Sequence, residues 1–120
     1  MLFTPIPRAS AIEATSVNQR SFTSKFVTAT LKNNGTTRFA IKGSNAQSGG
    51  LVSLWDGSLP KGYNPMKKQG AIVLGSGGDC CNGNTNISIG TFYEGAIVAG
   101  YPSDATENAV QTNIVGAGYR

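Results

Sequence analysis

Through the first hundred residues, short apolar runs and polar–apolar alternation are separated by clusters of glycine, asparagine and proline. Phe26-Val27-Thr28-Ala29-Thr30-Leu31 is rich in β-branched side chains, which suit a pleated, half-buried surface. Asn33-Asn34-Gly35 follows, and Asn-Gly is a strong hairpin signal because both residues accept positive φ. Arg38-Phe39-Ala40-Ile41-Lys42 then alternates polar and apolar, as a half-buried strand does. Leu51-Val52-Ser53-Leu54-Trp55 is the next strand, stopped by Asp56-Gly57, and Ala71-Ile72-Val73-Leu74 reads as a fully buried one. Between them, residues 58–69 carry two prolines and read as a long loop. Residues 75–84 are too rich in glycine and asparagine for regular structure. Residues 91–99 form the last predicted strand, with Gly95 marking a bulge or a close backbone approach.

After Tyr101-Pro102 the period changes. Ser103 or Asp104 is placed to cap a helix, and Glu107 stands three residues past Asp104 as in a capping box. Ala105 with Ala109 and Val110 with Ile114 are i,i+4 pairs, and Gly116 ends the segment. Roughly six strands with glycine-rich turns and one short helix near the C-terminus predict an all-β sandwich. Residues 1–20 have no clear period and read as a leader before the packed region, and no internal repeat is visible.

Composition narrows the chemistry. The 120-residue chain has no histidine, which removes a Ser-His-Asp triad, a Cys-His dyad and every His-ligated metal site. Only 13% of residues are charged, about half the usual share, and no apolar run approaches the roughly 18 residues of a membrane span. The net charge is +4, with nine of the ten cations in residues 1–70 and four of the six acids in residues 71–120. The cations are scattered, only Lys67-Lys68 being adjacent. A nucleic-acid footprint clusters them on one element, so these read as solvated lysines along strand edges and no nucleic-acid partner is expected. Pro5 and Pro7 interrupt the N-terminus, which therefore lacks a signal peptide's apolar run. Two N-glycosylation triplets occur, Asn34-Gly35-Thr36 and Asn86-Ile87-Ser88. Such triplets arise often by chance and are weak evidence of secretion.

Acid/base work then falls to carboxylates, lysines and tyrosines. Asp79 follows Gly77-Gly78, where missing Cβ atoms let the backbone approach a ligand. The bland alternative is a turn aspartate bonding nearby N–H groups. Glu94 lies in Thr91-Phe92-Tyr93-Glu94-Gly95. Strand alternation puts it beside Phe92 and opposite Tyr93, where partial desolvation would raise its pKa; its alternative is a solvent-facing strand residue. Two carboxylates suggest glycoside hydrolysis. Cys80-Cys81 closes no long loop and is too few for a structural zinc site. The pair forms either a strained vicinal ring or two small thiols. No metal or cofactor is expected. Trp55, Tyr63, Tyr93 and Tyr101 have the faces to stack on sugar rings, or else anchor core and loops.

A set of longer segments carries a family resemblance: Lys25 to Lys32, Phe39-Ala40-Ile41-Lys42-Gly43-Ser44-Asn45-Ala46, Gly62-Tyr63-Asn64-Pro65-Met66-Lys67-Lys68-Gln69-Gly70, Ala71 to Gly75, Gly77-Gly78-Asp79, Gly90 to Gly95, and Gly100-Tyr101-Pro102-Ser103-Asp104 leading to Glu107-Asn108-Ala109-Val110. In order and spacing, residues 21–119 resemble the C-terminal part of the catalytic domain of α-L-arabinofuranosidase B, glycoside hydrolase family fifty-four. The resemblance implies a concanavalin-like antiparallel β-sandwich, partial here, and residues 21–120 as one piece of it. It implies a secreted, retaining enzyme that removes terminal α-L-arabinofuranosyl groups from arabinan and arabinoxylan. It also implies that Asp79 is the general acid/base, and Gly78, Cys80 and Cys81 become candidate substrate-binding residues because they neighbour it in the chain.

Three points qualify that expectation. Glu94 gains no catalytic role from the resemblance and reads as structural. The family's cysteine pair lies in a different, upstream segment, so its role does not pass to Cys80-Cys81 by position. The family's nucleophile, a glutamate, also lies upstream of the matched segments, and Glu13 has no family motif around it. The chain therefore reads as a truncation that is weakly active or inactive alone and self-associates through exposed edges. Competing readings are a noncatalytic sugar-binding sandwich and a gene remnant with no separate function.

Overall fold

The computed structural model describes residues 21–59 and 90–120. They form a three-stranded antiparallel sheet, in the order β1 (Val27–Asn33), β2 (Phe39–Asn45), β3 (Val52–Gly57), followed by one helix, α1 (Asp104–Gly116). The expected hairpin is there, with Asn33 opposite Phe39 and Val27 opposite Asn45. Its connection is longer than a two-residue turn. The Asn34 side-chain oxygen accepts from the N–H groups of Thr36, Thr37 and Arg38 at 2.8–3.1 Å and so organises the loop 34–38. Gly35 supplies the positive φ, 79°. Arg38 reaches Asp56 on β3 at 2.6 Å, a half-exposed pair of the kind that adds little stability.

Between β2 and β3, Ile41 opposes Trp55 and Lys42 opposes Ser53, which leaves Leu54 as the extra residue of a bulge. Trp55 turns its ring over Gly57, within 3.3 Å of where a Cβ would stand, and donates its indole N–H to the Ser58 carbonyl.

Alternation along β1 sends Val27, Ala29 and Leu31 to one face and Thr28, Thr30 and Lys32 to the other. The helix covers the second, polar face. Thr28, Lys32, Ala40, Lys42 and Ser44 are all buried there, while Val27 and Leu31 on the apolar face are 48% and 59% exposed. Phe22 lies across part of that apolar face, over Gly43: a Cβ on Gly43 would come within 2.6 Å of its ring. Gly43→Ala should therefore push Phe22 off the sheet and lower stability by about 1–3 kcal/mol. Urea midpoints of Gly43→Ala in the parent and in a Phe22→Ala background test this, because the loss should shrink once the ring is gone.

Two expectations are corrected here. Residues 91–99, predicted as a strand, form no ladder among the described residues and are exposed throughout. Strand preference is largely a fit to a neighbour's pleated surface, and no described strand supplies one. The buried lysines, expected as solvated edge residues, lie under the helix at 6% exposure each. The expected strand at 71–74, the leader 1–20, the loop 58–69 from residue 60 onward and the loop at 75–84 lie outside the described residues.

Candidate functional site

The sequence-predicted site residues Gly78, Asp79, Cys80 and Cys81 lie outside the described residues, as does Tyr63. What the described residues show is how the elements on either side of that segment are tied together.

Ser103 is the N-cap of α1, its hydroxyl accepting from Thr106 N–H at 3.1 Å. That choice of cap shifts the helix by one residue from the Asp104–Glu107 capping box. Asp104 and Glu107, freed from capping, both turn to the sheet. Lys32 Nζ lies 2.7 Å from Asp104 Oδ1 and 2.8 Å from Glu107 Oε2. Lys42 Nζ lies 2.7 Å from Asp104 Oδ1 and 2.6 Å from Glu107 Oε2. Two ammoniums and two carboxylates thus share one neutral cluster. Lys32 also donates to the Pro102 carbonyl at 3.0 Å and sits 4.7 Å from the centre of the Tyr101 ring. Glu107 accepts from Thr30 at its other oxygen.

One turn along, the buried Gln111 donates its amide to the carbonyls of Asn45 and Gly49 at 3.0 and 3.2 Å. Gln47 returns a bond to the Tyr119 carbonyl. The face α1 buries is therefore Glu107 and Gln111. Of the i,i+4 apolar pairs, Ala105, Ala109 and Val110 are exposed and Ile114 is only half-buried. The helix docks by polar contacts.

The electrostatics follow from that packing. Hydrogen bonds from Lys32 and then Lys42 hold the Asp104 carboxyl well below the usual carboxylate range. For both lysines desolvation is the largest single influence and lowers the pKa, but the bonds to Asp104 and Glu107 together reverse it and leave both above the ordinary value. Asp104 therefore contributes stability in full above about pH 4, and loses it as pH falls through its depressed value. Lys32 and Lys42 contribute in full below about pH 10 and lose it as pH rises through their raised values. Urea midpoints should be level between about pH 5 and 9 and fall on both sides, with a shallower acid limb in Asp104→Asn.

Glu94 is exposed rather than tucked behind Phe92, which is itself 49% exposed. It accepts from the Tyr119 hydroxyl at 2.5 Å, and that bond, foremost, raises the Tyr119 pKa. Tyr93 meets Phe26 and Tyr119 with ring centres 5.2 and 5.5 Å away. Neighbouring residues 93 and 94 thus both reach Tyr119, one through its ring and the other through its hydroxyl. Of the candidate sugar-stacking rings, Tyr93 belongs to this aromatic cluster, Tyr101 lies against Lys32, and Trp55 is tied to Ser58.

A shallow groove of about 300 Å³ lies along Phe22, Ser44, Asn45 and Gly50. Among the described residues that line it, none carries a carboxylate, a lysine or an arginine. Among the described residues no three His, Cys, Asp or Glu side chains gather, and no helix is long and apolar enough to cross a membrane.

Lys32 and Lys42 are the residues that sequence reasoning missed. Their signal was available: two lysines fall within apolar strand runs at positions that a hairpin brings diagonally together on one face. Like charges there call for an anion between them, and Asp104 with Glu107, one helical turn apart, supplies two.

Comparison with known proteins places this architecture. The model of the α-L-arabinofuranosidase B catalytic domain matches residues 9–120. An α-L-arabinofuranosidase of Hypocrea jecorina is 54% identical over 101 residues, 82% of this chain and 19% of that protein. The α-L-arabinofuranosidase B of Aspergillus kawachii has the same identity and coverage. Among solved structures, an arabinofuranosidase complexed with arabinofuranosyl-α-1,2-xylobiose superposes with a TM-score of 0.69 at 52% identity, over 83% of this chain and 20% of that one. A family-fifty-four α-L-arabinofuranosidase soaked with a cyclic sulfate inhibitor gives 0.69 at 51% identity, over 84% and 20%. The chain spans about one fifth of the length of these relatives, and it belongs to the α-L-arabinofuranosidase B catalytic-domain family.

Proposed function

We propose that the chain is the C-terminal part of a catalytic β-sandwich that removes terminal α-L-arabinofuranosyl groups from arabinan and arabinoxylan outside the cell. The observation that carries this reading is identity above 50% to arabinofuranosidases over more than four fifths of the chain. A relative complexed with an arabinofuranosyl xylobiose supports a xylan-borne arabinose as substrate.

In this reading Asp79 is the general acid/base of a retaining reaction. Its carboxyl protonates the leaving glycosidic oxygen while a carboxylate nucleophile bonds to the anomeric carbon. It then takes a proton from the water that releases the sugar. Gly78, lacking a side chain, lets the pentose come close to the loop, and Cys80 and Cys81 border the same pocket. The nucleophile is not among the motifs matched here. The sheet and α1 are joined by the Lys32–Lys42–Asp104–Glu107 cluster, and in the sequence they lie on either side of Asp79. Val27 and Leu31 on the outer face are where another layer of the sandwich, or a second copy, would pack.

The test is hydrolysis of 4-nitrophenyl α-L-arabinofuranoside by the 120-residue chain and by a chain extended upstream to the length of its relatives. The extended chain should turn over the substrate and the short one should be at least about 100-fold slower, as a retaining enzyme without its nucleophile must be. Equal rates would contradict the division of labour. Binding of arabino-oligosaccharide without hydrolysis by either chain would favour a noncatalytic module.

A further inference from the structure

We propose that Asn34 is an N-glycosylation site, the acceptor for an oligosaccharide delivered from a polyprenyl-diphosphate carrier. The proposal rests on the extracellular reading above, because only a chain that passes through a secretory compartment meets the transferase.

Asn34-Gly35-Thr36 is an acceptor triplet with a residue other than proline in the middle. The fold puts it at the exposed end of the β1–β2 hairpin, and Asn34 and Thr36 are both exposed. The side chain already lies in an Asx turn, with Oδ1 accepting from Thr36 N–H at 3.1 Å and the Thr36 hydroxyl at 3.4 Å from that oxygen. This gathers the amide and the hydroxyl that defines the triplet on one side of the loop.

The chemistry is compatible with the loop. Asn34 Nδ2 attacks the anomeric carbon of the carrier-linked sugar. The C–N bond forms, the bond from that carbon to the diphosphate oxygen breaks, and the polyprenyl diphosphate leaves with the electron pair. One Nδ2 proton passes to a base of the transferase. The glycosylated amide keeps its other Nδ2 hydrogen, which is all the bond to Thr37 Oγ1 at 2.9 Å requires. Oδ1 still accepts from Thr36, Thr37 and Arg38. The modified loop therefore keeps its closure, and a glycan there displaces no buried side chain.

The experiment expresses the full chain behind a secretion leader in a eukaryotic host, with a reporter acceptor triplet on a C-terminal extension. The leader supplies the passage, so failure of the extracellular reading for the native chain leaves this result unaffected. Release of glycans by peptide-N-glycosidase in heavy-oxygen water converts each occupied asparagine to a labelled acid. The expected result is the label at position 34 in most of the secreted chain, lost in Thr36→Ala and kept in Thr36→Ser. Asn34→Gln should abolish it too. Because that change also strips Oδ1 from the loop, Thr36→Ala, which leaves Asn34 in place, decides the matter if Asn34→Gln is not secreted. A labelled reporter with position 34 unlabelled would overturn the proposal.

Discussion

Asp79→Asn, made in a chain extended upstream to the length of its relatives, is expected to slow release of arabinose from arabinoxylan by about 100- to 10,000-fold. An amide is far too weak an acid to protonate the departing sugar oxygen, which must then leave as a strongly basic alkoxide. The loss should depend on the leaving group. 4-Nitrophenol departs as a stable anion and needs little protonation, so its first step should survive the change far better than that of the polysaccharide. Water attack in the second step lacks its base in either case, so the glycosyl-enzyme should accumulate and show as a burst of nitrophenol followed by slow turnover. A variant that loses the same factor on both substrates, without a burst, would point to a residue that only shapes the pocket. Glu94→Gln is the companion control. Glu94 is bonded to Tyr119 on an exposed surface, so its loss should leave both rates within a few fold.

The second large effect concerns stability. Glu107→Ala should destabilise the chain by about 3–5 kcal/mol, because breaking a buried ion pair strands the opposite charge. Here two ammoniums, Lys32 and Lys42, with side-chain exposures of 4% and 7%, would be left to Asp104 alone, whose side chain is 66% exposed. Asp104→Asn should weaken the fold less, since solvent already reaches that carboxylate. The triple change Lys32→Met, Lys42→Met, Glu107→Leu should recover most of the loss, as apolar replacement of a whole buried cluster often does. Urea denaturation of the four proteins checks this, followed by far-ultraviolet dichroism and by the fluorescence of Trp55. Recovery in the triple variant would show that the lysines, not the helix sequence, create the need for Glu107. No recovery would mean that Glu107 holds α1 by contacts other than its charge.

That cluster also explains which parts of the molecule were legible in the sequence. The β1–β2 hairpin could be read because its information is local: β-branched alternation on either side of an asparagine and glycine turn. The helix could be read for the same reason, through Ser103 and Gly116 at its ends. Its buried face could not. The helix has apolar i,i+4 pairs, Ala105/Ala109 and Val110/Ile114, but the sheet face it meets carries Lys32 and Lys42, so Glu107 and Gln111 are drawn inward instead. Which face of an element is buried depends on its partner, and that is long-range information. Residues 91–99 failed as a strand for a related reason, because Phe92, Tyr93 and Ile97 have strand character but no described strand to pair with. Asp79 is a candidate acid from its glycine-flanked position, and the resemblance of the segments around it is what favours that role over an ordinary turn aspartate; the described residues do not include it.

The most direct test of Asp79 as acid/base is the product that the extended Asp79→Asn enzyme forms from 4-nitrophenyl α-L-arabinofuranoside in the presence of azide. Azide needs no base, so it should intercept the glycosyl-enzyme, restore turnover and yield arabinofuranosyl azide of α configuration, the same as the substrate. An azide of β configuration would mean that Asp79 is the nucleophile. Turnover that azide leaves unchanged would mean that the proton is carried by another group.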